Sequence, residues 1–269
     1  MNKILLVGCG HMGSALLKSW LSKTKSLFTV IDPVQFKSIN KTFNKRVIAV
    51  KSILEVKNIS EFNLIIFAIK PQIAKDVLKK FIDYKFRKKC TFVSIVAGKK
   101  INFFDRYLPT TNEFIRVMPN MPASINHGMS CLVAKKNLSL KTKNNIDTLF
   151  SLLGKTLWLK SENDIDKVTA ISGSGPGYIF FIVDAFEKAA LQLGLGEKAT
   201  MQLVHQTLLG SIHLLFHENL SAEKLANKIA IKGGTTEAGL NQFKKNKTLH
   251  NVFKKVVKAA YKRANQLGK

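Results

Sequence analysis

Residues 8 to 13 read Gly-Cys-Gly-His-Met-Gly and directly follow the apolar run Ile4–Val7. This is the GxGxxG pattern, and a helical pattern, Ser14–Trp20, comes directly after it. In a strand–turn–helix context the first glycine takes the tight turn and the second lets a pyrophosphate approach the backbone. The third lets the helix pack closely on the strand. The stretch therefore predicts a dinucleotide site in which the phosphates lie at the positive end of a helix.

Two other interpretations of this stretch compete with the dinucleotide turn. The run Leu6–Cys9 is similar to the lipid-attachment box of an exported protein, but eight residues before Cys9 are too few for a charged segment and an apolar segment. A plain glycine-rich bend needs no further signal, and a lone GxGxxG is weak. The choice therefore depends on a second feature further along the chain.

The second feature is Asp32, which ends the predicted strand Phe28–Ile31. An acidic residue at this point of a dinucleotide-binding unit can accept hydrogen bonds from the adenosine ribose and repel a 2′-phosphate. No arginine follows it, and the nearest basic residues are Lys37 and Lys41. The acidic Asp32, without a following arginine, therefore favours NADH over NADPH as the cofactor. The alternative, that Asp32 caps a turn before Pro33, stays open from the sequence.

The pattern of apolar and polar residues changes near residue 162. Before it, short apolar runs alternate with helical patterns, which predicts parallel strands between helices. After it, amphipathic stretches dominate. The fold class is therefore α/β, a Rossmann-type doubly wound sheet over residues 1–162 followed by an all-α domain over residues 163–269. The other predicted strands are Lys3–Val7, Val47–Val50, Leu64–Ala68, Thr91–Val96, Phe114–Val117 and Cys131–Val133, and the predicted helices are Tyr178–Leu193, Glu197–His217, Ser221–Ile229, Thr236–Lys245 and Thr248–Gln266.

Composition narrows the classes of function. The net charge is +26, but lysines are spread through nearly every segment with few arginines, so we expect no dedicated nucleic-acid partner. Three cysteines without a CxxC pair favour reduced thiols and a cytoplasmic location. The six histidines show no HExxH pattern, so we expect no metal site. No apolar run is long enough to predict a membrane span.

Five further motifs follow the glycine-rich stretch along the chain: Phe67–Pro71, Val93–Gly98, Arg116–Ala123, Ala170–Tyr178 and Gly233–Leu240. In this order and with similar spacing, the six motifs resemble those of the pyrroline-5-carboxylate reductase family, the last enzymes of proline biosynthesis. The resemblance extends over essentially the whole chain, and six matches in order are highly specific.

The resemblance implies a Rossmann domain followed by a dimerisation domain that interlocks with a second copy. It also implies which residues bind the ligands. The substrate would lie against Gly233, Gly234, Thr235 and Thr236, and Ala68, Lys70, Pro71 and Ala97 would line the cofactor. Together with the glycine turn and Asp32, the predicted cofactor-binding residues are Gly8, Cys9, Gly10, His11, Met12, Gly13, Asp32, Ala68, Ile69, Lys70, Pro71, Ala97 and Asn120.

The chemistry of the turn Gly233–Thr236 agrees with this assignment. The turn precedes a helical pattern, so its backbone N–H groups suit a small carboxylate. The hydroxyl of Thr236, the predicted catalytic residue, would donate to or orient the ring nitrogen of a cyclic imine. A protonated imine is already electrophilic, so positioning and electrostatics suffice without a strong general acid. By itself the turn would be read as a plain helix cap with threonine as the capping residue.

Two residues depart from the family pattern just before this turn. Ile231 stands where the family usually has a serine, and Lys232 stands where it has a proline. Loss of the serine hydroxyl would weaken substrate binding by about 1 kcal/mol, and Lys232 is a candidate compensating cation.

The sequence predicts an NAD(P)H-dependent, homo-oligomeric pyrroline-5-carboxylate reductase that makes L-proline. Two rivals remain from the sequence. One is a related reductase that acts on another small imine or keto acid, which the changed residues Ile231 and Lys232 keep open. The other is a nucleotide-binding or polyanion-binding protein without catalysis, which the intact glycine turn and Thr235-Thr236 disfavour.

Overall fold

An eight-stranded sheet occupies the N-terminal part of the chain in the computed structural model, which describes residues 3–43, 45–136 and 138–267. Its order across the sheet is the third, second, first, fourth, fifth, sixth, seventh and eighth strand of the chain. The strands are β1 (Lys3–Val7), β2 (Leu27–Ile31), β3 (Val47–Val50), β4 (Leu64–Phe67), β5 (Thr91–Ser94), β6 (Phe114–Met118), β7 (Gly128–Ala134) and β8 (Gly154–Trp158).

Strands β1 to β6 are parallel, and their order reverses at β1. The chain runs outward from β1 to β2 and β3, then returns to place β4 on the other side of β1. Val7 pairs with Ile31 on one side and with Phe67 on the other, so the three strands end together. Open α/β sheets bind ligands at such a switch point. The predicted Rossmann-type doubly wound sheet is confirmed.

The far edge of the sheet differs from the pattern of the first six strands. Strand β7 is antiparallel to β6, because residues 119–127 are too short for the crossover that a parallel pair needs. Strand β8 was not predicted. Its sequence, Gly-Lys-Thr-Leu-Trp, has no continuous apolar run because it alternates exposed with partly buried positions at the sheet edge.

Side chains of the sheet alternate between two apolar layers. Ile4 and Leu6 belong to one layer with Trp20, whereas Leu5 belongs to the other with Phe67. Burial of such side chains on both faces stabilises the sheet by about 1.5–3 kcal/mol for each large apolar residue. The layers hold the ends of the central strands, and therefore their loops, in one arrangement.

Helices and turns connect the strands. Ser139 caps one helix, since its side chain accepts the Thr142 N–H. A π-helical turn, Thr169–Gly173, follows the last of these helices. The helices are α1 (His11–Lys23), α2 (Phe36–Thr42), α3 (Ala74–Lys79), α4 (Ile101–Phe104), α5 (Leu140–Ser151) and α6 (Asp164–Val168).

The rest of the described chain is helical, as predicted. It consists of α7 (Gly175–Leu191), α8 (Glu197–His217), α9 (Ala222–Ile229), α10 (Thr235–Lys244) and α11 (Thr248–Leu267). By internal contacts the chain forms two compact units: one runs to Ser174 and also includes the residues from Ala260 onward, and the other is Gly175–Ala259. The domain boundary that the sequence predicts, between residues 162 and 163, stays a prediction. None of the described helices is both long and apolar enough to cross a membrane.

Candidate functional site

Two of the three glycines in the turn after β1 are required by packing. Gly8 has φ +91°, and a Cβ there would lie 2.6 Å from the Ala68 carbonyl oxygen. A Cβ on Gly13 would lie 2.6 Å from the Gly8 carbonyl oxygen. The strand, the turn and helix α1 therefore approach one another at distances that only glycine permits.

Gly10 is a glycine for a different reason. It precedes the first residue of α1, and a Cβ built on it would meet no protein atom within 4 Å. The first intrahelical bond runs from the Ser14 N–H to the Gly10 carbonyl, so the N–H groups of His11, Met12 and Gly13 have no partner within the helix. Open space beside a glycine, next to free N–H groups, fits a pyrophosphate group. The residues present therefore fit a dinucleotide.

Asp32 is almost wholly buried, at 8% exposure, and its carboxylate is already bound by the protein. Its Oδ2 accepts the Cys9 N–H at 2.8 Å. Its Oδ1 accepts the N–H groups of Val34 at 2.9 Å and Gln35 at 2.8 Å. The turn-capping role that the sequence left open is therefore present. Recognition of the ribose by Asp32 stays a prediction.

The loops after β4 and β5 hold the next group of predicted cofactor residues. The Ala68 N–H donates to Val7 O, which places the start of this loop beside the end of β1. The side chain of Ile69 lies against Gly8, and Lys70 is exposed before the 3₁₀ turn that begins at Pro71. Ala97 is partly buried in the loop after β5. Ala68 and Ile69 are thus brought to the glycine turn; contact of any of these residues with a cofactor stays a prediction.

Asn120 lies within the protein network as well. It is buried at 9% exposure, and its Oδ1 accepts the Met129 N–H at 2.8 Å while its Nδ2 donates to Ser172 O at 3.0 Å. It therefore ties β7 to the π-helical turn Thr169–Gly173. Cofactor contact by Asn120 stays a prediction.

The π-helical turn is a candidate functional feature that our sequence reasoning did not identify as a site. Such single π turns are frequent at functional sites. A Cβ on Gly173 would lie 3.0 Å from the Met118 Cε, and the Ser172 hydroxyl donates to Val168 O. The signal in the sequence was the glycine and serine pair repeated in Ser172–Gly175.

The predicted substrate turn lies in the unit Gly175–Ala259. Gly233 has φ +78°, and Gly234 is the residue before the first turn of α10, which begins with Thr235 and Thr236. The Gly233 N–H donates to the Glu237 Oε2 at 2.7 Å. Glu237 was not among the predicted residues, because its carboxylate reaches back to the turn only once α10 has formed. Both threonines are exposed, as a binding turn requires.

Nucleophilic and metal chemistry have little support in the described residues. Burial raises the pKa of the Cys9 thiol to about 11, with a further contribution from Asp32, and burial raises the pKa of Cys90 to about 12. Burial also raises the pKa of Cys131. These thiols are therefore protonated at neutral pH and poor nucleophiles. No group of three or more His, Cys, Asp or Glu side chains that would hold a metal is found among the described residues.

Comparison with known proteins places the chain in a family. A pyrroline-5-carboxylate reductase of Haemophilus influenzae is 30% identical over 89% of this chain and 88% of its own length. The chain belongs to the pyrroline-5-carboxylate reductase family. A family member from Bacillus subtilis, pyrroline-5-carboxylate reductase 2, is 32% identical over 89% of this chain and 86% of its own length. The predicted family is confirmed.

Two separate stretches of the chain also match family models. Residues 3–98 match the model described as NADP oxidoreductase coenzyme F420-dependent, and residues 162–267 match the model for pyrroline-5-carboxylate reductase dimerisation. A solved structure of Plasmodium falciparum pyrroline carboxylate reductase with NADP bound has a TM-score of 0.86 at 26% identity, covering 100% of this chain and 98% of that chain. The predicted order of a Rossmann domain and a helical domain is confirmed.

Proposed function

We propose that the chain reduces the C=N bond of 1-pyrroline-5-carboxylate to give L-proline, the last step of proline biosynthesis. The observation that carries this proposal is the match to reductases of this name over nine-tenths of the chain, with the glycine turn retained. A nicotinamide dinucleotide, when bound, supplies the hydride. The chain's own residues bind, orient and position the reactants.

The glycine turn is proposed to hold the pyrophosphate. The N–H groups at the start of α1 point out of the helix, and Gly10 leaves room for phosphate oxygens beside them. The loop Ala68–Pro71 and Ala97 are proposed to line the nicotinamide end. Positive charge from the helix terminus favours an anionic group here without a basic side chain in the turn.

The turn Gly233–Thr236 is proposed to hold the substrate carboxylate on its backbone N–H groups. The Thr236 hydroxyl then donates to or orients the ring nitrogen, which must be protonated as the hydride arrives at carbon. Glu237 brings a negative charge to the same turn through its bond to Gly233. Lys232, which is exposed directly before the turn, is proposed as a cation near the substrate carboxylate that compensates for the serine replaced by Ile231.

A second copy of the chain is the proposed partner. Within the described part of Gly175–Ala259, only Thr200, Val204 and Leu225 are buried, too few for a stable core. Large apolar side chains left exposed on a chain are typical of an interface between subunits. Large apolar side chains are exposed instead along α7 and α8: Ile179, Phe180, Phe181, Phe186, Leu203, Leu209, Ile212, Leu214 and Phe216.

NAD(P)H is the proposed cofactor. The Plasmodium falciparum relative was solved with NADP, and one matching model describes NADP oxidoreductases. The predicted NADH preference depended on a free Asp32 carboxylate, and three backbone N–H groups occupy it. A cytoplasmic location also stays a prediction.

Steady-state reduction of 1-pyrroline-5-carboxylate with NADH and with NADPH in parallel tests the proposal. We expect oxidation of at least one cofactor and formation of L-proline, and rescue of a proline-auxotrophic strain. A panel of other cyclic imines and small keto acids serves as the comparison. Turnover of another substrate without turnover of 1-pyrroline-5-carboxylate would contradict the proposal in favour of a related reductase. Absence of any turnover and of rescue would favour a binding protein.

A further inference from the structure

We propose that Asp32 is a positioning residue that ties the phosphate-binding turn to the loop after β2, and that it does not select between NADH and NADPH. This inference rests on the proposed function, because it concerns how the same site receives its dinucleotide. The position of Asp32 in the sequence predicts recognition of the adenosine ribose, and the role proposed here replaces that one.

The hydrogen bonds of Asp32 join two segments that are distant in the chain. The Cys9 N–H, between the first two glycines, donates to Oδ2 at 2.8 Å across 23 positions of sequence. The N–H groups of Val34 and Gln35 donate to Oδ1 at 2.9 and 2.8 Å. Backbone bonds reinforce the junction on both sides, from Gly8 N–H to Ile31 O and from Asp32 N–H to Val50 O. The carboxylate is therefore the side-chain link between the two loops.

Little capacity is left for a ribose. A carboxylate offers about four acceptor positions, and three are used, including both on Oδ1. The one position left, on Oδ2, can accept a single ribose hydroxyl but not a paired contact with the 2′- and 3′-hydroxyls, and the 8% exposure of Asp32 leaves little surface to contact. A diol would have to displace backbone N–H groups that have no other acceptor here, which costs about as much as it gains.

Two lysines lie in the segments that adjoin the loop after β2. Lys51, directly after β3, holds its ammonium group 5.2 Å from the ring centroid of Phe36, at the start of α2. Lys37 follows in the same helix. Because the Asp32 carboxylate is buried and bound by three backbone N–H groups, it gives little basis for excluding a 2′-phosphate, and therefore NADPH.

Dissociation constants of NADH and NADPH, measured without substrate by fluorescence, separate the two roles. The Asp32→Asn variant keeps the shape of the side chain but turns an NH2 group towards backbone donors. If Asp32 positions the turn, both constants rise by about tenfold or more and their ratio changes by less than about threefold. Asp83→Asn, which removes an exposed carboxylate elsewhere, is the control and should leave both constants unchanged.

Two other outcomes would contradict a positioning role for Asp32. A weaker NADH complex together with a tighter NADPH complex in Asp32→Asn would show that Asp32 reads the ribose, and unchanged constants for both would show that the link is dispensable. Either result overturns the inference. Hydrogen exchange of the segment around Cys9 in the cofactor-free protein gives a second readout, and we expect faster exchange in the variant.

If Asp32→Asn fails to fold, the Asp32→Ser variant tests whether Asp32 positions the turn. A serine can still cap the turn at Val34 and Gln35 but is too short to reach the Cys9 N–H. We expect the same parallel loss of both cofactors, and a gain in NADPH affinity would overturn the inference. Normal cofactor binding without imine reduction would count only against the proposed function. A wild-type protein that binds neither dinucleotide would overturn both.

Discussion

At the scale of single residues, the three glycines of one turn have two different duties. Gly8 and Gly13 allow close packing of backbone, whereas Gly10 borders open space. The same motif therefore combines a requirement of folding with a requirement of binding. The two requirements separate by substitution.

We expect Gly8→Ala to lower the free energy of unfolding by about 2 kcal/mol or more, since it combines a left-handed backbone with a contact against the Ala68 carbonyl. Gly10→Ala should leave the free energy of unfolding nearly unchanged but weaken dinucleotide binding. Thermal unfolding without cofactor and cofactor titration measure the two effects. Equal loss of stability in both variants would contradict the division of roles.

Thr236 is the residue on which the proposed chemistry depends most. Thr236→Val keeps the shape and removes the hydroxyl, so we expect kcat/KM for the imine to fall by about tenfold to a hundredfold, as for one hydrogen bond that acts on the reacting group. Thr236→Ser should retain most of the activity. Equal activity of the valine and serine variants would exclude a role for the hydroxyl.

Lys232 is the residue that departs from the family pattern beside the same turn. We expect Lys232→Ala to raise KM for the imine carboxylate by about twofold to fivefold, as for an exposed ion pair, with kcat unchanged. Lys224→Ala, an exposed lysine of α9, is the matched control. If Lys232→Ala and Lys224→Ala have the same KM, the proposal that Lys232 compensates for the missing serine is wrong.

At the scale of elements, the last turn of α11 lies against the loop after β5. Gly98 has φ +72°, and a Cβ there would lie 2.5 Å from the Leu267 carbonyl oxygen. Ala97, a predicted cofactor residue, is its neighbour. The end of the chain that the structure describes thus supports a loop of the candidate site.

We expect Gly98→Ala to lower the free energy of unfolding by about 1–3 kcal/mol and to raise KM for NAD(P)H, because the loop or the helix end must move. Thermal unfolding and steady-state kinetics measure the two effects. Lys99→Ala, in the next position, serves as a control for the loop. A variant with unchanged stability would show that the contact is not maintained in solution.

At the scale of the whole molecule, the apolar faces of α7 and α8 make a second copy part of the proposed enzyme. Phe181 is 74% exposed in the single chain. We expect Phe181→Glu to weaken self-association by about thirtyfold or more, in the manner of an interface hot spot, and to lower activity with it. Leu54→Glu, at an apolar residue of the other unit that is 83% exposed, should change neither. Sedimentation velocity over a range of concentrations tests both, and a wild-type chain that stays monomeric would contradict the proposal.

Local sequence patterns determined much of the secondary structure and the family of this protein. The glycine turn, strands β1 to β6, the five C-terminal helices and the family follow from the sequence, because strand and helix periods and motif spacing are properties of neighbouring residues. The substrate and cofactor residues remain predictions: the glycine motif and its spacing supplied Gly8 to Gly13 and Asp32, and the resemblance supplied the loops after β4 and β5 and the turn Gly233–Thr236. Strand β8 escaped prediction because an edge strand needs no continuous apolar run.

Only the tertiary structure decided how the polar side chains are used. Asp32 stood in the sequence as a ribose acceptor or a turn cap, and folding brought the Cys9 N–H to its carboxylate across 23 positions. Asn120 likewise found its partners in Met129 and Ser172. A side chain can accept several partners of similar strength, so the choice among them follows from which groups the packed backbone leaves within reach.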